Sequence, residues 1–168
     1  MAALIGNRRN RDELTIRPVQ RRLPARGIKI DFMVKSNIPA AGLIQEKNLS
    51  GQGPAASREL TATDLLMDVN RIAGINRVAT MLREFGEGLD AAKFRDIINE
   101  SIPIVRFQRL GYLMEYELKF KSRAGILCGI VQGKIKRHNL LFTARKGNPR
   151  KSGNRAKIRV NTQIELDF

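Results

Sequence analysis

Apolar residues recur along the chain in two rhythms, and the change between them divides it into three parts. From Ile28 to Lys35 the order Ile-Lys-Ile-Asp-Phe-Met-Val-Lys alternates closely enough for a strand with one buried face. Pro39 and Gly42 break the chain before a second short strand, Leu43 to Asn48, and Ser50-Gly-Gln-Gly-Pro54 reads as a turn cluster. Upstream, Gly6-Asn-Arg-Arg-Asn-Arg11 has no period, so residues 1–20 are expected to form a flexible basic arm.

In the middle the period lengthens to that of helices. Thr61 stands three residues before Asp64, a capping-box-like start, and Leu65, Leu66 and Val69 follow at helical spacing. The clearest stripe is Ile75, Val78, Met81, Leu82 and Phe85, stopped by Gly86 and Gly88. Asp90 is placed to cap a third helix, with Phe94, Ile97 and Ile98 inward. Ser101 is expected to cap a fourth, with Pro103 at its first position and Val105, Phe107, Leu110, Leu113 and Met114 on its apolar side.

After these helices the pattern turns mixed again. Gly125 to Gln132 is mostly apolar, and its period does not decide between a short helix and a buried strand. Leu140 to Phe142 suggests a strand, residues 145–157 a basic loop, and Ile158-Arg-Val-Asn-Thr-Gln-Ile-Glu-Leu166 a terminal strand. The expected fold is α/β of the α+β type. It has N-terminal strands, a four-helix middle, and C-terminal strands returning beside the first ones, in a single domain over residues 21–168.

Charge sharpens this picture. The net charge of +15 is segregated: residues 1–47 carry +6, residues 48–118 carry −2, and residues 119–168 carry +11. Segregated charge builds a potential over one face and attracts a polyanion, where scattered charge only solvates a surface. The candidate nucleic-acid contacts are Arg8, Arg9, Arg11, Arg21, Arg22, Lys134, Lys136, Arg137, Arg145, Lys146, Arg150 and Lys151. A single cysteine excludes an internal disulfide framework, and the apolar N-terminal run is too short for a signal peptide or a membrane span. The chain is therefore expected in the cytoplasm, with no membrane partner.

Catalytic chemistry finds little support. His138 is the only histidine, and Lys136-Arg137-His138-Asn139 is a charged turn without an orienting carboxylate. Cys128, among Ile126, Leu127 and Ile130, packs as a small hydrophobe. With one histidine and one cysteine, no four-ligand zinc site of the usual kind forms within one chain. Gly147-Asn-Pro-Arg-Lys-Ser-Gly153 lacks the order of a Walker loop, and Pro149 removes an amide donor. Glu117-Leu-Lys119, with Asp90 or Asp96 upstream, matches the acidic-x-Lys triplet of some Mg²⁺ nucleases over three residues only. Asp64 and Asp68 lie one helical turn apart without a third ligand. The expectation is no enzyme, no cofactor and no metal.

Four segments carry a resemblance. They are Glu59-Leu-Thr-Ala-Thr-Asp-Leu-Leu66, Ile72-Ala-Gly-Ile-Asn-Arg-Val-Ala-Thr80, Gln108-Arg-Leu-Gly-Tyr-Leu-Met114 and Arg159-Val-Asn-Thr-Gln-Ile-Glu-Leu166. In that order and at those separations the chain resembles the C-terminal domain of the AbiE-type (AbiEi family) antitoxins of type IV toxin–antitoxin systems, from about Arg21 to the end. Arg-Leu-Gly-Tyr-Leu and Val-Asn-Thr are its more specific parts. The resemblance implies a non-catalytic antitoxin that counters a nucleotidyltransferase toxin encoded beside it. Members commonly carry an N-terminal winged helix that binds the promoter as a transcriptional regulator. The residues before Arg21 are too few for one, so the chain is expected to be a shortened member, a fragment, or one that relies on its own basic surface for DNA contact. Two other readings stand beside it: a general nucleic-acid-binding module, and more distantly a Mg²⁺-dependent nuclease using Glu117 and Lys119.

Overall fold

A computed structural model describes residues 21–23, 28–30, 37–48, 51–67, 69–70, 72, 74–100, 102–142 and 154–166. The fold is mixed α+β, as the changing rhythm indicates, with, among the described residues, five α-helices, antiparallel strands on the N-terminal side and a parallel strand pair near the C-terminus. The expected arm over residues 1–20 lies outside the described residues.

Strands β1 (Arg21–Leu23) and β2 (Ile28–Ile30) pair antiparallel, with Arg22 opposite Lys29. Strand β2 opens the alternating run read from Ile28, whose remainder over residues 31–35 is outside the described residues. Strands β3 (Leu43–Asn48) and β4 (Gly51–Ala56) form a second antiparallel hairpin, from Leu43 opposite Ala56 to Asn48 opposite Gly51. The expected turn cluster is thus mostly strand. Gly51, at φ 124°, takes the left-handed side of backbone space beside the two-residue connection, and Pro54 costs this pair no ladder bond it needs at a sheet edge.

Helix α1 (Arg58–Leu65) starts at Ser57, whose Oγ accepts from the Leu60 N–H at 3.2 Å. Thr61 is inside the helix and turns its hydroxyl back onto the Ser57 carbonyl at 2.8 Å, so the expected cap lies one turn too late. Helix α2 (Ile75–Gly86) follows Gly74, whose φ of 95° suits glycine, and buries Ile75, Val78 and Leu82. Asp90 caps as expected, accepting from the Ala92 N–H at 3.0 Å in a 3-10 turn that leads into α3 (Phe94–Ile98).

Helix α4 (Ile104–Tyr112) begins one residue later than its sequence suggests. Pro103 holds an extended ψ of 124° at the cap position, and Ser101 is outside the described residues. The helix widens into a π-helical turn at Leu113–Glu117, closed by the Leu118 N–H on the Leu113 carbonyl at 2.9 Å. The ambiguous apolar run resolves as helix α5 (Lys121–Val131).

Helix α4 is the centre of the packing, in contact with α1, α5 and the last strand. Phe107 and Leu110 on it, and Leu113 and Met114 on its π-helical extension, are fully buried, and the Phe107 and Phe94 rings meet edge to face at 6.1 Å. Close approach of α5 is set at Gly111, where a Cβ would stand 3.1 Å from Cys128 Sγ.

Strands β5 (Asn139–Leu140) and β6 (Ile158–Arg159) pair parallel with each other, through the Asn139 N–H on the Lys157 carbonyl and the Leu141 N–H on the Arg159 carbonyl, both 3.1 Å. Among the described residues they do not return beside the first strands, which corrects that expectation. The terminal strand is also far shorter than its alternation indicates. Beyond Val160 the Asn161 side chain substitutes for a strand, accepting from the Phe142 N–H at 3.1 Å and donating to its carbonyl at 2.6 Å. Parallel strands need a long connection, and residues 141–157 supply it.

Candidate nucleic-acid interface

Gln108 and Arg109 interrupt the apolar face of α4 between Phe107 and Leu110, and both are buried. Gln108 is completely enclosed and fully used. Its amide nitrogen donates to the carbonyls of Ala156 at 2.9 Å and Arg137 at 3.2 Å, and its oxygen accepts from the Asn139 side chain at 2.7 Å. One side chain thus fastens the helix to both strands of the parallel pair. Each bond satisfies a group that burial would otherwise leave unpaired.

Arg109, 8% exposed, reaches the same strands differently. Its Nε–H donates to the Leu140 carbonyl at 3.1 Å, which fixes the plane of the guanidinium. Among the described residues no carboxylate pairs with it. Burial pushes its pKa below the ordinary value, although a guanidinium stays charged at neutral pH. Arg106, one turn earlier, is treated otherwise: Asp64 of α1 stands 3.7 Å from it and opposes the same downward push of burial.

Between α4 and the strand pair lies a cleft of about 310 Å³, lined by Arg109, Arg137, His138, Asn139, Leu140 and Arg159. A second concavity of about 680 Å³ adjoins it and shares Arg137 and Asn139, adding Lys134, Lys136 and the first turn of α4. Among the described residues no carboxylate lines either one. Such a surface attracts anions, because nothing in its wall competes for the cations.

Of the cations read from the sequence, the structure brings Lys134, Lys136 and Arg137 together here, all exposed. Lys134 donates to the Asn99 side-chain oxygen at 2.6 Å, whereas Lys136 and Arg137 have no side-chain hydrogen bond or ion pair among the described residues. Arg21 and Arg22 are placed in β1 by their backbone only. Arg8, Arg9, Arg11, Arg145, Lys146, Arg150 and Lys151 lie outside the described residues. Arg109 and Arg159 were missed by the sequence reading. The one available signal was a Gln-Arg pair set into an apolar stripe.

Two other basic residues of the C-terminal third are occupied internally. Arg123 donates to the carbonyls of Leu89 at 3.1 Å and Glu87 at 2.6 Å, while Arg155 pairs with Glu115 at 2.6 Å. His138 is exposed and Cys128 buried, as their settings in the sequence suggest.

For the nuclease reading, Glu117 accepts from the Tyr112 hydroxyl at 3.4 Å, and Lys119 is exposed in a left-handed conformation, φ 61°. Asp90 is occupied as a cap and Asp96 is exposed on α3. Among the described residues no three histidine, cysteine or acidic side chains gather as a metal centre. Asp68 is outside them. No helix among the described residues is long and apolar enough to cross a membrane.

Comparison with known proteins gives one result. No curated protein and no solved structure matches the chain. The family model of the AbiEi antitoxin C-terminal domain matches residues 4–116. That interval holds three of the four segments that carried the resemblance, begins well before Arg21, and ends before Arg159–Leu166. It spans both N-terminal hairpins and helices α1 to α4. The chain belongs to the AbiEi antitoxin C-terminal domain family.

Proposed function

We propose that the chain is the neutralising component of a type IV toxin–antitoxin system, that it counters a nucleotidyltransferase toxin encoded beside it by binding and without catalysis, and that its basic surface engages nucleic acid, DNA first. Membership of an antitoxin family supports the antitoxin role, and the toxin's chemistry is the reading that goes with it. The observation that carries nucleic-acid contact is the pair of adjoining concavities lined by Lys134, Lys136, Arg137 and Arg159 with no carboxylate among the described residues. Contact through phosphates is sequence-independent and falls steeply with salt. The working compartment in this reading is the cytoplasm.

Growth rescue tests the first part. The neighbouring reading frame is expressed from one inducible promoter and this chain from another, and colony survival is followed. Growth arrest by the neighbour alone, relieved by the chain, is the expected result. A toxic neighbour that the chain leaves toxic removes the neutralising role and leaves the second reading, a nucleic-acid-binding module.

A further inference from the structure

We infer that the cleft between α4 and the β5–β6 pair is a binding site for a phosphate group, with the Arg109 guanidinium at its base and Arg137, His138 and Arg159 at its rim. The buried arginine points there first. An enclosed cation without a counter-charge is costly, and chains keep one where a ligand supplies the charge. The Leu140 carbonyl takes Nε, and no other hydrogen bond to the side chain is made among the described residues. The only buried side-chain atom left without a partner among them is Glu115 Oε2, so the terminal nitrogens of Arg109 are not sealed from solvent but open onto the cleft they line.

The fork of an arginine suits two oxygens of one phosphate, and its plane is already set. Three guanidinium groups and an imidazole match a tetrahedral dianion better than a lone carboxylate, which occupies one fork at a time. Gln108 holds the two walls from behind without entering the cleft. The adjoining concavity continues the pattern through Lys134, Lys136 and the start of α4, where unpaired N–H groups favour anions. Two adjacent anion-favouring hollows fit successive phosphates of a polynucleotide backbone. That source rests on the nucleic-acid reading above, whereas the phosphate chemistry rests on the cleft alone and also admits a free nucleotide.

The full chain is compared with Arg137→Ala/Arg159→Ala and Arg109→Met variants. Anisotropy is read with a labelled duplex and single strand, and amide NMR shifts with adenosine monophosphate and inorganic phosphate. Because Arg109→Met also removes a structural hydrogen bond, the exposed Arg137/Arg159 pair carries the decision. Arg77→Ala/Lys121→Ala removes two exposed cations elsewhere and controls for net charge. The cleft variant is expected to weaken the bound probe roughly tenfold or more, as loss of charge-assisted hydrogen bonds implies, and the control much less.

Polynucleotide binding that weakens in this way identifies the backbone as the source. Nucleotide shifts at β5–β6 without polynucleotide binding keep the site and remove the nucleic-acid reading. Polynucleotide binding that the cleft variant leaves unchanged, or that the control weakens equally, with no nucleotide or phosphate shifts at β5–β6, overturns the site while sparing that reading. No binding of any probe overturns both.

Discussion

Two single residues make the interior of the molecule measurable. Cys128 is the only cysteine and is buried where α5 meets Gly111 of α4. Burial, and then the charge of Glu115, push its thiol up, and Arg155 only partly offsets them. A thiol held protonated and enclosed reacts slowly. A colorimetric thiol reagent at mildly alkaline pH is expected to label the native chain far more slowly than the urea-unfolded one, and equal rates would place Cys128 at the surface. The other residue is Tyr112, pushed up to about 12 by burial, followed by the neighbouring Glu117 carboxylate and its hydrogen bond. The folded state holds this proton more tightly than the unfolded chain. Its contribution is therefore complete below the ordinary tyrosine pKa of about 10 and is lost as pH rises towards 12. Stability measured by urea unfolding should decline across that window, and Tyr112→Phe should flatten the decline. Since the chain has two tyrosines, the ultraviolet titration of that variant should lose its step at about 12.

At the scale of elements, the sequence was readable wherever one face of a segment is buried and the other wet. The α2 stripe and the inward residues of α3 and α4 are examples, and burial follows the pattern. It misled where local chemistry offered two solutions. Ser57 and Thr61 are both capping hydroxyls four residues apart, and only the packing of Leu60 shows which one begins α1. Helix α5 hid its identity because its exposed positions include Ile126 and Gly129 rather than polar residues, so the sequence carries no polar stripe to reveal a period. The tail after Ile158 alternates truly, with Val160, Ile164 and Leu166 half-buried between exposed Gln163 and Glu165. It rests one face on the core without a neighbouring strand, and alternation reports a face, never a ladder. Gln108 was illegible for a related reason, since its partners lie near residues 137 and 156. Gln108→Leu should strip the Ala156 and Arg137 carbonyls of their donor and cost about 1–3 kcal/mol in urea unfolding. A loss within about 0.5 kcal/mol, the ordinary range for surface sites, would mean that water replaces the amide.

For the whole molecule, charge asymmetry was plain in the sequence, but its geometry was not. Counting placed +11 in the last third without distinguishing Arg123 and Arg155, which are spent on carbonyls and on Glu115, from Lys136, Arg137 and Arg159. Duplex affinity should fall by about 0.9 log units per phosphate contacted for each log unit of salt. Replacing Arg145, Lys146, Arg150 and Lys151 together by alanine should make that slope shallower. An unchanged slope would assign the contacts wholly to other cations.

The parallel pairing of β5 and β6 has a consequence for those four residues that requires no knowledge of their conformation. Phe142 and Asn154 are fixed beside the same ladder, by Asn161 on one side and by the Asn154 bonds to Ile158 on the other. A chain cannot extend beyond about 3.6 Å per residue. Arg145 and Lys151 are thus leashed to within about 11 Å of an anchor, and Lys146 and Arg150 to within about 14 Å. These leashes are longer than the screening distance in physiological salt, about 8 Å, and shorter than that at 0.01 M salt, about 30 Å. The contribution of these four tethered charges to polyanion binding near the strand pair is therefore expected to be strongest at low salt.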